Sequence, residues 1–131
     1  MNKIERLDHS NQLIKLISDH GRRFFYNKKY DRVARLEIGK SGHVFFRDDY
    51  TDKLVYTHYT GMWRDFSHGG TMRRLIELMR DYVIHGKKIS IWRLGPRWHP
   101  GGEDIWGYGS DAVTELRNKA TEIPIIKAQE G

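Results

Sequence analysis

The sequence contains no cysteine. The chain can therefore form no disulfide bond, offer no thiolate nucleophile and bind no zinc ion through cysteine. The H-E-x-x-H spacing, which places two histidines on one helix face to bind zinc, is absent as well. These absences predict a protein with no metal site and no cofactor.

Long hydrophobic runs are also missing. No stretch approaches the roughly 20 apolar residues that span a bilayer. The charged residues at positions 1–6 are not followed by the apolar segment of a secretory signal. We therefore expect a cytoplasmic protein without a membrane partner.

The composition is typical of a globular protein, because 38% of the residues are hydrophobic and 31% are charged. A length of 131 residues suits one domain. We predict a single α+β domain over residues 1–131. Its core lies at 10–94, an irregular loop rich in glycine and aromatic residues at 95–109, and a C-terminal helix and tail at 110–131.

The net charge of +6 is unevenly distributed. Residues 20–47 hold eight Lys and Arg against two acids, and residues 61–100 hold eight against three. Basic residues concentrated in two blocks favour a polyanionic partner, above all nucleic acid. A basic surface without a specific ligand is the alternative.

Residues 71–85 carry the clearest helical pattern. Their apolar residues recur at helical spacing and form one stripe, which consists of Met72, Leu75, Ile76, Met79 and Val83. Thr71 follows a pair of glycines and is expected to cap this helix. A second helix is predicted at residues 10–19, with Ser10 as its cap, and the alternative is an extension over residues 1–9 through Ile4 and Leu7.

Three segments alternate between apolar and polar residues with the period of a β-strand, at 32–38, 43–47 and 53–60. Residues 87–94 form a possible fourth strand. The sequence thus predicts an α+β fold with an antiparallel sheet of three to four strands. Two helices pack on one face of this sheet, and a short C-terminal helix with Val113, Leu116 and Ala120 on one side follows the loop.

The start of the helix at 71–85 is the strongest candidate site. Arg73 and Arg74 lie in its first turn, beside backbone N–H groups that have no partner within the helix and attract anions. Both arginines lie off the apolar stripe, so their replacement should leave the fold intact. The G-x-x-x-x-G-K-[ST] spacing of a triphosphate-binding loop is absent. Alternatively, the glycines only turn the chain and Thr71 only caps the helix.

Aromatic and basic residues occur together at residues 22–26 and again at residues 92–98. Such a combination can stack on bases and contact phosphates. Most aromatic rings must be buried in so small a domain, so Trp98 is the best candidate for an accessible ring. The full set of predicted ligand-binding residues is His68, Gly69, Gly70, Thr71, Arg73, Arg74, Arg22, Arg23, Arg93, Arg97 and Trp98.

Two other groups of polar residues are candidates for chemistry. His68 lies at the glycine turn, and its alternative roles there are a functional one and a purely structural one. Asp48, Asp49 and Asp52 lie in a turn between predicted strands, where aspartate commonly accepts hydrogen bonds from local backbone. We expect that turn role for them and no metal binding.

The order helix, three antiparallel strands, helix over residues 10–86 is similar to that of the double-stranded-RNA-binding domain. In that family basic residues at the start of the second helix contact phosphates. The resemblance implies this role for Arg73 and Arg74, and His43 after Gly42 resembles a histidine in the first hairpin loop of the family.

Three segments together resemble small uncharacterised proteins encoded by phages and prophages: Arg22-Arg23-Phe24-Phe25, the segment at 42–48, and Trp63-x-x-Phe66-Ser67-His68-Gly69-Gly70-Thr71-x-Arg73. This resemblance implies a non-enzymatic accessory or counter-defence protein in the cytoplasm of a bacterial host. Its target would be nucleic acid, a nucleotide signal or a host protein.

Three functions follow from these observations. The first is a binding module that contacts a phosphate-bearing ligand, nucleic acid or nucleotide, through its basic surface. The second is a counter-defence inhibitor, similar to an anti-CRISPR protein, that binds a host protein complex. The third is a small phosphoryl- or glycosyl-processing enzyme that uses His68.

Overall fold

The computed structural model of the chain describes residues 1–20, 24–94 and 110–128. The predicted loop at 95–109 and the candidate residues Arg22, Arg23, Arg97 and Trp98 lie outside the described residues. The elements in chain order are α1 (Lys3–His20), β1 (Tyr26–Asn27), β2 (Arg32–Val33), β3 (Arg35–Ile38), β4 (Val44–Arg47), β5 (Leu54–Tyr56), α2 (Gly70–His85), a 3-10 helix (Ile91–Arg93) and α3 (Ser110–Ala120). These helices and two small antiparallel sheets form the predicted α+β fold.

Helix α1 begins at Lys3, so the extension through Ile4 and Leu7 is part of it and Ser10 is not its first residue. The backbone N–H of Glu5 donates to Oδ1 of Asn2 at 2.8 Å, so the Asn2 side chain satisfies the start of the helix. The prediction that Ser10 caps the helix is therefore wrong. Ser10 instead lies inside α1 and is buried.

The larger sheet has the strand order β3-β4-β5, with antiparallel neighbours. Leu36 faces Phe46 and Phe46 faces Val55, and all three side chains are buried. The predicted single strand at 32–38 is divided at Ala34, whose N–H donates to the Phe25 carbonyl at 2.8 Å. Its first part, β2, therefore pairs with β1 rather than joining the larger sheet.

The predicted fourth strand at 87–94 is wrong. Ile89 forms an isolated parallel bridge to Ile126. The Ser90 hydroxyl then accepts the Trp92 N–H at 3.3 Å, which caps the 3-10 helix and ends the extended conformation.

The residues after α3 are packed rather than being a loose tail. Ile123, Ile125 and Ile126 are buried. The Ile89 N–H donates to the Ile125 carbonyl, and the Lys127 N–H donates to the Ile89 carbonyl, both at 2.8 Å. Backbone and side chains together fix this segment against the core.

Helix α2 packs its predicted apolar stripe into the core, with Tyr82 buried in addition. It ends at Gly86, whose φ of 72° lies in the left-handed region that glycine adopts without strain. In α3 the predicted residues Val113, Leu116 and Ala120 are buried as well. The buried side chains of α1, the larger sheet, α2 and α3 join one hydrophobic cluster. Among the described residues, no helix is long and apolar enough to cross a membrane.

Candidate functional site

The turn after β4 is organised by Asp48. Its Oδ1 accepts the backbone N–H groups of Tyr50 at 2.8 Å and Thr51 at 3.0 Å, which confirms the predicted turn role. Its Oδ2 accepts the N–H of Ser67 at 2.7 Å. Asp48 therefore ties this turn to the segment that leads into α2.

Asp49 and His68 form a buried polar pair beside that turn. His68 Nε2 lies 2.6 Å from Asp49 Oδ1, and the two side chains are 7% and 0% exposed. Aromatic rings surround the imidazole edge-on at 5.5–6.3 Å between ring centroids, and they belong to Phe25, Phe46 and Phe66. Asp49 Oδ2 is buried and has no hydrogen-bond partner in the described part of the chain.

The backbone of Phe25 is strained where it meets this pair. Its φ of 65° is left-handed, which for a bulky residue costs on the order of 1–3 kcal/mol. The ring is fully buried against Phe46 and His68, and the carbonyl accepts the Ala34 N–H. Packing and hydrogen bonding therefore hold Phe25 in this conformation next to the Asp49–His68 pair.

The start of α2 is open and carries no side-chain cap. Gly69, not Thr71, is the N-cap residue, so the predicted cap is wrong. In the described part of the chain, no side chain caps the first N–H groups of α2. A Cβ atom added at Gly69 or Gly70 would meet nothing within 4 Å. The first turn contains no acidic residue, and Thr71 is exposed. This end of the helix therefore presents backbone N–H groups that an anion can approach.

The Arg73 side chain is hydrogen-bonded to the loop before α2. Its guanidinium donates to the carbonyls of Gly61 at 2.7 Å, Tyr59 at 3.1 Å and Thr60 at 3.2 Å. It also lies 4.4 Å over the Trp63 ring, a cation–π contact. Arg73 therefore stabilises the loop, a role that the sequence pattern did not indicate.

Arg74 points to solvent. Its side chain is 56% exposed, and its nearest ionic partner is Glu77 at 4.0 Å. Of the two predicted arginines, Arg74 is thus the one that a ligand can reach. Arg64, in the preceding loop, is also exposed.

The remaining described candidate, Arg93, belongs to the 3-10 helix and not to the start of α2. Its neighbour Trp92 is 48% exposed, and Arg117 of α3 lies 5.0 Å over the Trp92 ring. Trp92 and Arg117 therefore form an aromatic–basic contact between the 3-10 helix and α3, whereas the predicted residues Arg97 and Trp98 lie outside the described part of the chain.

The outer face of the larger sheet carries charged and aromatic side chains. Glu37 accepts hydrogen bonds from Arg47 at 2.7 Å and Arg35 at 3.0 Å. Burial raises the pKa of the Glu37 carboxyl, but these two guanidinium groups outweigh burial and lower it overall. The three side chains form a charge network across β3 and β4.

Three rings lie at the other end of this face. The ring centroids of His43 and His58 lie 4.7 Å apart, with the two rings tilted by 35°. Nδ1 of His43 is hydrogen-bonded to the Tyr56 hydroxyl at 3.1 Å. His58 Nε2 accepts the Val44 N–H at 3.1 Å, so it must be unprotonated in this bond. Burial first, and then the charges of Arg80 and His43, lower the pKa of His58, while Asp81 acts in the opposite direction.

Comparison with known proteins places the chain among prophage proteins. The model of the YoqU family matches residues 1–130. The chain is 35% identical over 127 residues to the SPbeta prophage-derived uncharacterized protein YoqU of Bacillus subtilis (strain 168), and this match covers 95% of the chain and 85% of that protein. No solved structure matches the chain.

Proposed function

The chain belongs to the YoqU family, and we propose that this prophage-type protein is a binding module that contacts a phosphate-bearing ligand, nucleic acid in the first place, at the start of α2. The observation that carries the proposal is the uncapped and open N-terminus of α2. Aligned peptide dipoles and unpaired N–H groups attract phosphate there.

The charges around this helix start support the proposal. Arg74 is exposed in the first turn, and Arg64 is exposed in the loop before it. Arg73 contributes indirectly, because it holds the carbonyls at 59–61 and thereby the shape of that loop. The net charge of +6 adds long-range attraction for a polyanion.

Substitution of Gly69 tests the helix start while preserving the fold. Gly69 has the extended conformation of an N-cap residue and open space around it, so Asp and Asn both fit and both cap α2. Gly69→Asp adds a negative charge that repels phosphate, and it should weaken nucleic-acid binding by about two- to fivefold. Gly69→Asn is the matched control, with the same cap and no charge.

The binding should be measured by fluorescence anisotropy with labelled single-stranded and duplex oligonucleotides over a salt series. Arg74→Ala should lower the slope of log affinity against log salt by about 0.9 for duplex DNA. Lys15→Ala, which removes a charge from an exposed position on α1, should leave the affinity largely unchanged. Equal binding by the parent, Gly69→Asp and Arg74→Ala at low salt would contradict the proposal.

A host protein target is the second candidate, and exposed apolar side chains favour it. Leu54, Tyr59 and Met62 are exposed, and Met62 reaches 86%. Such side chains are typical of protein interfaces. The test is capture of a bacterial protein from a lysate. Capture that persists after nuclease treatment and at high salt, and that is lost in Met62→Ser, would favour this candidate over nucleic acid.

An enzyme that uses His68 is less compatible with the geometry. The imidazole is 7% exposed and one ring nitrogen faces Asp49, so a substrate has little access to it.

A further inference from the structure

We propose that Asp48, Asp49 and His68 form a binding site for a divalent metal ion such as Zn²⁺ or Mn²⁺. Each residue offers one ligand atom, and these atoms all lie within 4.8 Å of one another. A single ion with bonds of about 2.0–2.2 Å spans ligand atoms up to about 4.4 Å apart, so only a small side-chain movement is needed to bring all three atoms within its reach. This proposal departs from the sequence-based prediction of no metal site.

The burial of charge is the main argument for a cation. Asp48 and Asp49 are both 0% exposed, and both lie next to His68. Asp49 Oδ2 has no partner in the described residues. A buried carboxylate oxygen without a donor is costly, and a cation removes this cost where no nearby N–H does.

The ligands are also held in place by their own surroundings. Backbone N–H groups of Tyr50, Thr51 and Ser67 fix the Asp48 carboxylate. Three aromatic rings fix the plane of the His68 imidazole. Such outer contacts orient metal ligands in established sites.

The donor set indicates the class of metal. One imidazole nitrogen and two carboxylate oxygens suit Zn²⁺ or Mn²⁺ better than Mg²⁺, which prefers oxygen ligands alone. His68 Nε2 lies 2.6 Å from Asp49 Oδ1, so a bound ion would contact both atoms in place of the direct hydrogen bond between them.

A metal at this position joins the turn after β4 to the segment before α2. Asp48 and Asp49 belong to the former and His68 to the latter, 19 residues after Asp49. The ion therefore stabilises the entry into α2 whether or not a phosphate ligand binds there. The site stands independently of the proposed anion binding.

The test uses full-length protein without a histidine tag, stripped with a chelator and then dialysed against ZnCl2, MnCl2 or MgCl2. Elemental analysis should find about one Zn²⁺ or Mn²⁺ per chain. The melting temperature should rise by at least about 3 °C with Zn²⁺ or Mn²⁺ at a hundredfold excess over the dissociation constant. Mg²⁺ should change it much less.

Asp49→Asn is the decisive variant because it keeps the shape of the side chain and removes its charge. It should bind Zn²⁺ or Mn²⁺ at least tenfold more weakly and lose the metal-dependent rise in melting temperature. Asp52→Asn is the matched control on the same turn, where Asp52 is 52% exposed, and it should bind metal like the parent.

Absence of stoichiometric Zn²⁺ and Mn²⁺ from the parent protein would overturn the proposal, and this measurement does not depend on the folding of any variant. Equal metal binding by the parent and a folded Asp49→Asn variant would overturn it too, because the ion would then bind elsewhere. Loss of binding in Asp52→Asn as well as in Asp49→Asn would have the same consequence.

Discussion

Arg73 and Arg74 are neighbours in the chain, but their guanidinium groups contact different surroundings. Arg73 donates to three backbone carbonyls of residues 59–61, whereas Arg74 extends into solvent. Arg73→Ala should therefore lower the free energy of unfolding by about 1–3 kcal/mol, because three backbone carbonyls, of which that of Gly61 is partly buried, lose a charged donor. Arg74→Ala should change it by less than about 0.5 kcal/mol.

Urea denaturation of both variants checks this difference. If Arg73→Ala and Arg74→Ala lower the free energy of unfolding equally, the Arg73 contacts add nothing to stability. The structure thus changes the original expectation that both arginines can be replaced without cost. Arg74 is the position at which binding can be tested separately from folding.

His58 should make stability depend on pH. Its pKa is lowered in the folded protein, so the unfolded chain binds a proton more readily. The contribution of the neutral imidazole is fully present above the unfolded pKa of about 6.5, and it is lost as the pH falls toward the lower folded pKa. Protonation also removes the acceptor for the Val44 N–H.

His58→Gln isolates this effect, because the amide oxygen of glutamine can accept the same N–H without titrating. Between about pH 7.5 and about pH 5, the parent should lose more stability than the variant in urea denaturation. The other histidines are present in both proteins, so the difference between the two pH dependences reports on position 58. An identical pH dependence of the two proteins would remove His58 as the cause.

Helix α2 is held by its apolar stripe. Leu75 is buried in the core, so Leu75→Ala should lower the free energy of unfolding by about 2–5 kcal/mol. Leu54→Ala is the matched control, since Leu54 lies on the outer face of β5 and is exposed. It should cost much less in the same urea denaturation, and a comparable cost would mean that the exposed face of β5 is covered.

Periodicity predicted the elements whose side chains meet the core. The stripe in α2, the alternation in β4 and the apolar face of α3 all became buried surfaces, because burial of apolar groups dominates their placement. Element ends were predicted less well. Single hydrogen bonds decide them, such as the bond from Glu5 to Asn2 that starts α1.

The sequence could not reveal the Asp49–His68 pair. Two segments supply the pair, and their contact depends on how the turn after β4 meets the entry to α2. The alternation of β4 continues into the turn and places Phe46 inward, Arg47 outward and Asp48 inward. It therefore indicates burial of Asp48 but not of Asp49 or His68. The fourth strand at 87–94 was wrong for a similar reason, because the partner of Ile89 lies 37 positions later, at Ile126.

The molecule as a whole combines a shared core with a basic surface that is partly neutralised. Glu37 lies between Arg35 and Arg47, and Asp52 lies 3.7–3.8 Å from Arg32 and Arg47. The block of charge predicted at residues 20–47 is therefore less available to a polyanion than its count indicates. Under the proposed function, exposed cations such as Arg64 and Arg74 should therefore contribute more to ligand attraction than the total charge does.

The shared hydrophobic cluster leads us to propose that the chain unfolds as one cooperative domain. Residues from α1, the larger sheet, α2, α3 and the segment after α3 all contribute buried side chains to it. Far-UV circular dichroism and tryptophan fluorescence should therefore give the same midpoint in urea. Two separate midpoints would show that one part of the chain unfolds independently.

The bridge between Ile89 and Ile126 has a consequence for the order in which the protein is completed during translation. The N-terminal part of a chain leaves the ribosome first and can begin to fold there. Residues 125–127, whose backbone pairs with Ile89, are synthesised after α1, the larger sheet, α2 and α3. The nascent chain therefore leaves the Ile89 edge unpaired until residues 125–127 have emerged from the ribosome, so the contacts of this edge form only after the larger sheet and helices α1, α2 and α3 have been synthesised.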